Sequence, residues 1–243
     1  MPPDIAIEIS LSEQPEGAIL FDRARLPQAQ AAMLHPEYWQ VGGDAGRGGR
    51  GEVWFVQGTF GAGVLRHYRR GGMIARFNRD RFLYAGAEAT RSFREFRLLA
   101  ELRRRGLPVP APLLAGFTRL APCWYRADLL TTRIDDARTL AQCLPDVLAD
   151  SAALATIGRT LARFHAAGVC HADLNAHNIM LDQQGRCWLI DFDRGYLRRP
   201  ARGWQQARLH RLQRSLLKLG AGRSKHWPQA LARLLRAHEE AIG

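Results

Sequence analysis

Lysine is nearly absent from this chain: of 35 basic residues only Lys218 and Lys225 are lysines, and the other 33 are arginines. Chemistry that needs a lysine in the first two hundred residues is therefore excluded, and arginine, with its fixed charge and planar fork, must take such a role. Cysteine is scarce too. Cys123, Cys143, Cys170 and Cys187 form no CxxC pair and no zinc-like grouping, so they read as reduced, small, structural residues. No apolar run approaches the length of a membrane span, and the opening MPPDIAIEIS has neither a basic start nor an apolar signal core. The expectation is a cytosolic chain without a transmembrane segment. With 47% of its 243 residues hydrophobic, the chain is not disordered, and it is long enough for one large domain or for two lobes around a cleft.

What is abundant is positive charge, a formal +12, unevenly placed. Arg66 to Arg105 holds twelve arginines against four acids, and Arg194 to His238 holds twelve basic residues against none. Between them, Arg133 to Asp193 carries five basic and eight acidic residues. The plain reading is solubility in an arginine-biased host. The sharper one is an anionic partner: a phosphorylated substrate, an acidic membrane surface or nucleic acid. Nucleic acid is the weakest of these and is not expected, since no recognised binding module is present.

The hydropathy pattern changes character near residue 131. Before it, Ile5, Ile7 and Ile9 alternate like a short strand, and PQAQAAML reads as a brief helix. VWFVQG and VLRHY form a hairpin across a Gly-rich turn between Gly58 and Gly63. AEATRSFREFRLLAELRRRG places Phe93, Phe96, Leu99 and Leu102 on one helical face, starting near Ala87 and stopped by Gly106 and Pro108. LPVPAP reads as an extended linker and CWYRADLL as a strand. After residue 131, DSAALATIGRTLARFHAAG is an amphipathic helix, and a last helical region is expected from about Trp204 to Leu219. In that region Leu209, Leu212, Leu216 and Leu219 share one face while Arg208, Arg211, Arg214 and Lys218 populate another. Leucines at such spacing more often pack into a core than onto a membrane.

The stretch CHADLNAHNIMLDQQGRCWLIDFDRG carries the chemistry. Asp173 is followed five residues later by Asn178, and thirteen residues after that by Asp191 in the apolar strand CWLIDFD. This is H-x-D-L-x-x-x-N followed by D-F-x, the spacing of the catalytic and magnesium loops of the protein-kinase-like fold. One carboxylate, Asp173, can meet an acceptor hydroxyl, while Asn178 and Asp191 offer hard oxygens to Mg²⁺ on ATP phosphates. Two polar turns would use the same residue types, but residue type and both spacings would then have to coincide. His171 is expected to hold the loop by packing and hydrogen bonding. Asn175 and His177 could bond within the loop or touch substrate.

Upstream, Gly46, Gly48, Gly51 and Val53 fit G-x-G-x-x-G-x-V running into a strand, a loop whose backbone NH groups can meet phosphates. Matching G-V-L-R to the V-A-I-K of kinases puts Val64 over the adenine and Arg66 in place of the missing lysine, as a phosphate-facing cation. Its partner would be Glu95, although Ser92-Phe-Arg-Glu95 could also be a capping box at a helix start.

VLRHYRRGG, HADLNAHN and LIDFDRG, followed by an arginine- and leucine-rich helix, together resemble the bacterial 3-deoxy-D-manno-octulosonic acid (Kdo) kinases, relatives of the lipopolysaccharide core heptose kinases. The likeness spans about residues 38 to 219. It implies an α+β, two-lobed protein-kinase-like fold: a β-rich N-lobe (1–130) with the Gly-rich loop, hairpin and helix, and a helical C-lobe (131–243). It also implies ATP as phosphate donor, a Kdo sugar on lipid A precursor as acceptor, and work at the cytoplasmic face of the inner membrane; the two basic segments are what an electrostatic tether to that surface would require. By position Asp173 matches the family's proposed catalytic aspartate. Ala172 stands where protein kinases have the arginine of H-R-D, Asp193 where they have the glycine of D-F-G, and no A-P-E follows. A protein acceptor does not fit this pattern; a heptose or other small-molecule kinase, and a nucleotide-binding pseudokinase suggested by the missing lysine, remain as alternatives.

Overall fold

The computed structural model of the chain describes residues 6–39, 53–69 and 80–243. They form a mixed α/β structure of antiparallel sheets and helices, in two compact units: Met1–Arg105 with Pro110–Arg133, and Gly106–Val109 with Ile134–Gly243.

The first unit is built on a seven-stranded antiparallel sheet: β1 (Ile9–Gln14), β2 (Gly17–Asp22), β3 (Val53–Gly58), β4 (Gly61–His67), β5 (Phe82–Leu83), β6 (Pro112–Ala121) and β7 (Trp124–Thr132). The spatial order is β1-β2-β6-β7-β4-β3, with β5 paired to β7. The β3–β4 hairpin turns at Gly58–Gly61. Ile19, Val56, Leu65, Leu113, Leu114 and Leu130 of the sheet form one apolar cluster with Leu34 of a 3-10 turn. Along β4, side chains alternate across the sheet. Leu65 enters that cluster while Val64 and Arg66 point the other way. Helix α1 (Arg91–Arg104) buries Phe93, Phe96, Leu99 and Leu102, the stripe its sequence predicts, and packs on β6 and β7, with Phe93 edge-on to Phe117.

Several local expectations are corrected. The α1 helix starts at Arg91 rather than near Ala87, because Ala87–Ala89 forms a single 3-10 turn and Thr90 stands at the N-cap. The first strand begins at Ile9, where pairing to β2 starts, so Ile7 precedes it and Ile5 lies outside the described residues. Within PQAQAAML only Ala31–Leu34 is helical, as a 3-10 turn. The last residue of LPVPAP, Pro112, already belongs to strand β6, at its first position, where a missing N–H is tolerated.

The second unit contains β8 (Ala137–Thr139), α2 (Leu144–Ala149), α3 (Ser151–Ala166), β9 (Val169–Cys170), β10 (Ile179–Asp182), β11 (Cys187–Leu189), β12 (Tyr196–Leu197), α4 (Arg202–Lys218) and α5 (Trp227–Ile242). Its short strands form a sheet ordered β11-β10-β8 and a β12–β9 pair, so this half is not purely helical. Asp150 caps α3 by accepting from the N–H groups of Ala152 and Ala153 at 2.8 and 3.1 Å. The α3–α5 pair is the main helical packing. Gly158 permits it, since a Cβ there would lie 2.3 Å from the Leu234 carbonyl oxygen. The helix expected to be last, α4, is followed by α5, whose signal was present: Pro228 in the first turn and buried Ala230, Leu234 and Ala237 at helical spacing. In α4, Leu209, Leu212 and Leu216 are buried as core, but Leu219 is exposed beyond the helix end. No described helix is long and apolar enough to cross a membrane.

Candidate active site

The β10–β11 hairpin brings the distant members of the main motif together. Ile179 pairs with Leu189, so Asn178 immediately precedes one arm and Ile190-Asp191 immediately follows the other. The junction is closed by Ile190 N–H donating to Asn178 O at 3.0 Å. Asp191 thus lies just past strand β11 rather than inside it. Its backbone is left-handed, with φ 61°, a conformation Asp tolerates better than most residues and one that clusters at functional sites.

His171 ties the two loops from beneath. Its Nε2 donates to Ile190 O at 2.9 Å, its Nδ1 accepts from Asp173 N–H at 3.2 Å, and its ring packs on Phe192. Burial lowers the His171 pKa, so the ring is the neutral tautomer these two bonds require. It holds the loop, as its position suggested. The Asn178 Nδ2 donates to Asp173 O at 2.9 Å, which uses the amide nitrogen for the loop and leaves Oδ1 as the side chain's acceptor. Asn175 bonds within the loop: Nδ2 to Asp173 O at 3.0 Å, and Oδ1 from His177 N–H at 2.8 Å. His177 is exposed.

Asp173 is engaged by a helix that follows it in sequence. From α4, Arg211 Nε donates to Asp173 Oδ1 at 2.9 Å, and Arg211 Nη2 bonds the same oxygen. Arg208 Nη1 donates to Ala172 O at 2.9 Å, and Ser215 Oγ accepts from Ala176 N–H at 3.1 Å. The stripe at 208, 211 and 215 therefore faces the loop and is not a uniformly solvated basic face. Burial acts to raise the Asp173 pKa, but hydrogen bonds from Arg211 and Asn175 and the Arg211 charge outweigh it. The carboxyl is held below the usual aspartate value and is ionised at neutral pH.

A second cluster lies in the first unit. Arg66 Nη2 is 2.6 Å from Glu95 Oε2, and Tyr68 Oη donates to the same oxygen at 2.6 Å. The Arg66 guanidinium also stands 4.8 Å from the centroid of the Tyr68 ring. Glu95 lies inside α1, five residues past Thr90, so it is a partner of Arg66 and not half of a capping box. Tyr68 was not foreseen, although its two-residue step from Arg66 along the extended chain was a usable signal. For Arg208, Arg211 and Ser215 no local signal existed. Gly46, Gly48 and Gly51 lie outside the described residues.

The donor set fits a hard divalent cation, with one carboxylate at Asp191 and one amide oxygen at Asn178. Among the described residues no group of three or more His, Cys, Asp or Glu side chains could hold a metal. An ion here would complete its shell with water and phosphate oxygens, the usual habit of Mg²⁺.

Comparisons with known proteins agree on a family. The model of the lipopolysaccharide kinase (Kdo/WaaP) family matches residues 37–237. A 3-deoxy-D-manno-octulosonic acid kinase of Xanthomonas axonopodis pv. citri is 53% identical over 232 residues, covering 93% of this chain and 91% of that protein. One of Xylella fastidiosa is 52% identical over 212 residues, covering 86% and 84%. The solved structure of WaaP in complex with acyl carrier protein aligns with TM-score 0.57 at 16% identity, covering 95% of this chain and 89% of that one, a likeness of fold. With a family model over most of its length and relatives at half identity along nearly all of it, the chain belongs to the lipopolysaccharide kinase (Kdo/WaaP) family.

Proposed function

We propose that this chain is an ATP-dependent kinase that phosphorylates a hydroxyl of Kdo attached to lipid A precursor, in lipopolysaccharide core biosynthesis, and that its two units are the lobes of a protein-kinase-like fold. The relatives named for that acceptor, identical at half of their positions, support the substrate. The observation that carries the chemistry is the hairpin junction, which sets Asp173, Asn178 and Asp191 on adjoining loops tied through His171.

In this reading Asp173, ionised and held from α4, orients the acceptor hydroxyl and takes its proton. Asn178 and Asp191 would hold Mg²⁺, whose chemistry is neutralisation of charge on the ATP phosphates. In the first unit Arg66, fixed by Glu95 and Tyr68, is the phosphate-facing cation, with Val64 beside it on the same sheet face for the adenine. Gly46, Gly48 and Gly51, outside the described residues, are assigned to the phosphates by their spacing alone. A pseudokinase reading is disfavoured, because the Arg–Glu pair replaces the missing lysine pair and the acidic residues are intact.

The acceptor is membrane-held and anionic, and the chain has a surface suited to it. Tyr196 and Leu197 are exposed and run directly into exposed Arg198, Arg199 and Arg202. Apolar residues flanked by arginines fit the headgroup region of an anionic bilayer, making the protein peripheral at the cytoplasmic face.

The test is phosphate transfer from labelled ATP with Mg²⁺ to Kdo-bearing lipid A precursor, with the Kdo-free precursor as control. Label on the Kdo-bearing lipid alone is expected, lost in Asp173→Ala and Asp191→Ala variants that keep wild-type circular dichroism. Near wild-type turnover in Asp173→Ala would sink the assignment of this loop.

A further inference from the structure

We propose that Arg211 is the residue that recognises the acceptor's own carboxylate, placing the sugar acid against Asp173. The inference rests on the kinase reading above and deepens it, since a sugar acid differs from a neutral sugar by one carboxylate, which a site for it has to bind.

The geometry of the Arg211–Asp173 pair is what a resident structural bridge would not choose. A guanidinium meets a carboxylate best as a fork, with two nitrogens on two oxygens. Here Nε and Nη2 both converge on Oδ1, so Arg211 leaves Oδ2 unengaged, and its own Nη1 has no hydrogen-bond partner among the described residues. The pair is also wet: the side chains of Arg211 and Asp173 are 44% and 49% exposed. At that exposure an ion pair contributes little to folding. The loop does not need it, being already held by Arg208 on Ala172 O and by Ser215 on the Ala176 N–H.

Arg211 is thus a cation with spare donors, adjacent to the candidate catalytic carboxylate and exposed on the surface an acceptor must approach. The catalytic loop itself brings no cation: from Asp173 to Asn178 it reads D-L-N-A-H-N, and His177 is exposed. Helix α4 supplies the charge instead, with Leu209 and Leu212 buried on either side of Arg211 to fix its register. A carboxylate drawn to the spare face of the fork would set the acceptor beside Oδ2 of Asp173. A neutral sugar would lack that hold.

The same chemistry could instead receive the transferring phosphoryl group of ATP, and the experiment separates the two. Wild type, Arg211→Gln and Arg211→Lys are assayed on the Kdo-bearing lipid acceptor and on its carboxyl methyl ester, recording kcat, the KM for each substrate and the pH profile. Wild type should prefer the free acid by about tenfold or more in kcat/KM, the effect of losing one charge-assisted hydrogen bond. Arg211→Gln should abolish that preference with the KM for ATP unchanged, and Arg211→Lys should restore part of it. Binding of free Kdo and its methyl ester, measured by calorimetry or NMR, should show the same pattern without turnover. Three results would overturn the proposal: a wild type indifferent to esterification, an Arg211→Gln variant that keeps the preference for the acid, or a variant whose loss falls on the KM for ATP or equally on both acceptors. A wild type inactive on any Kdo acceptor would sink the kinase assignment instead, and acid-selective binding through Arg211 would then stand or fall by the binding data.

Discussion

Removing the Glu95 carboxylate tests how the chain manages without an N-terminal lysine. Glu95 is 3% exposed and accepts from Arg66 Nη2 and Tyr68 Oη, each at 2.6 Å. Breaking a buried ion pair by removing one partner costs about 3–5 kcal/mol, because the other charge is left uncompensated. The Arg66 side chain is 21% exposed and can turn toward water, which places Glu95→Ala at the lower end, about 3 kcal/mol. Glu95→Gln keeps the shape and an acceptor oxygen for Tyr68 but loses charge assistance, so about 1 kcal/mol is expected. Urea denaturation at neutral pH measures both, and a double-mutant cycle with Tyr68→Phe separates the hydroxyl contribution. Alongside, Arg66→Ala should lose far more kinase activity than Arg66→Lys, with the loss falling on the KM for ATP, since only the first removes the charge. A Glu95→Ala variant within about 0.5 kcal/mol of wild type, as for a surface pair, would refute the burial argument. Equal, mild effects of both Arg66 variants would place the phosphate-facing cation elsewhere.

Gly158→Ala should lower the melting temperature even though alanine favours helix by about 1 kcal/mol. The added Cβ meets Leu234 O at 2.3 Å and Ala237 Cβ at 3.0 Å, and forcing α3 and α5 apart costs about 1–3 kcal/mol; an unchanged or raised melting temperature would contradict this. Acid should destabilise the fold from pH 7.5 to 5.5. Burial, with the nearby His238 and Arg208 charges, pushes His165 down to about 3, and burial also lowers His171 and His238, from an ordinary value of 6.5. The unfolded chain then takes up protons that the folded one refuses, so stability falls below about pH 6.5 by up to about 1.4 kcal/mol per pH unit for each such histidine. His67 acts in the opposite sense: burial would lower its pKa, but Asp128 and Asp80 outweigh it and raise the value, so its contribution is present below 6.5 and lost as pH rises. Urea titrations should show the three prevailing over the one; equal or greater stability at pH 5.5 would disprove this. Changing Arg198, Arg199 and Arg202 to glutamine should weaken co-sedimentation with anionic liposomes by about 1 kcal/mol per arginine, with the effect fading at high salt. Undiminished binding at low salt would clear that segment of the role.

The sequence alone determined what depends on residue type at short spacing. The run from His171 to Asp193 was legible as one constellation because a hairpin keeps its ends together whatever surrounds it, and the α1 stripe was legible because apolar residues at helical spacing have one face to bury. The G-V-L-R run pointed to Arg66 as the candidate cation in a chain with no lysine before residue 218. Tertiary structure decided what depends on distance along the chain. Ser92-Phe-Arg-Glu95 was ambiguous between a cap and an ion pair until Thr90 took the cap and β4 brought Arg66 to Glu95. The basic face of α4 could not be distinguished from a solvated or lipid-facing surface until packing of Leu209, Leu212 and Leu216 turned Arg208 and Arg211 onto a loop nearly forty residues upstream. Periodicity tells a helix which residues to bury; only the folded chain decides what its remaining faces meet.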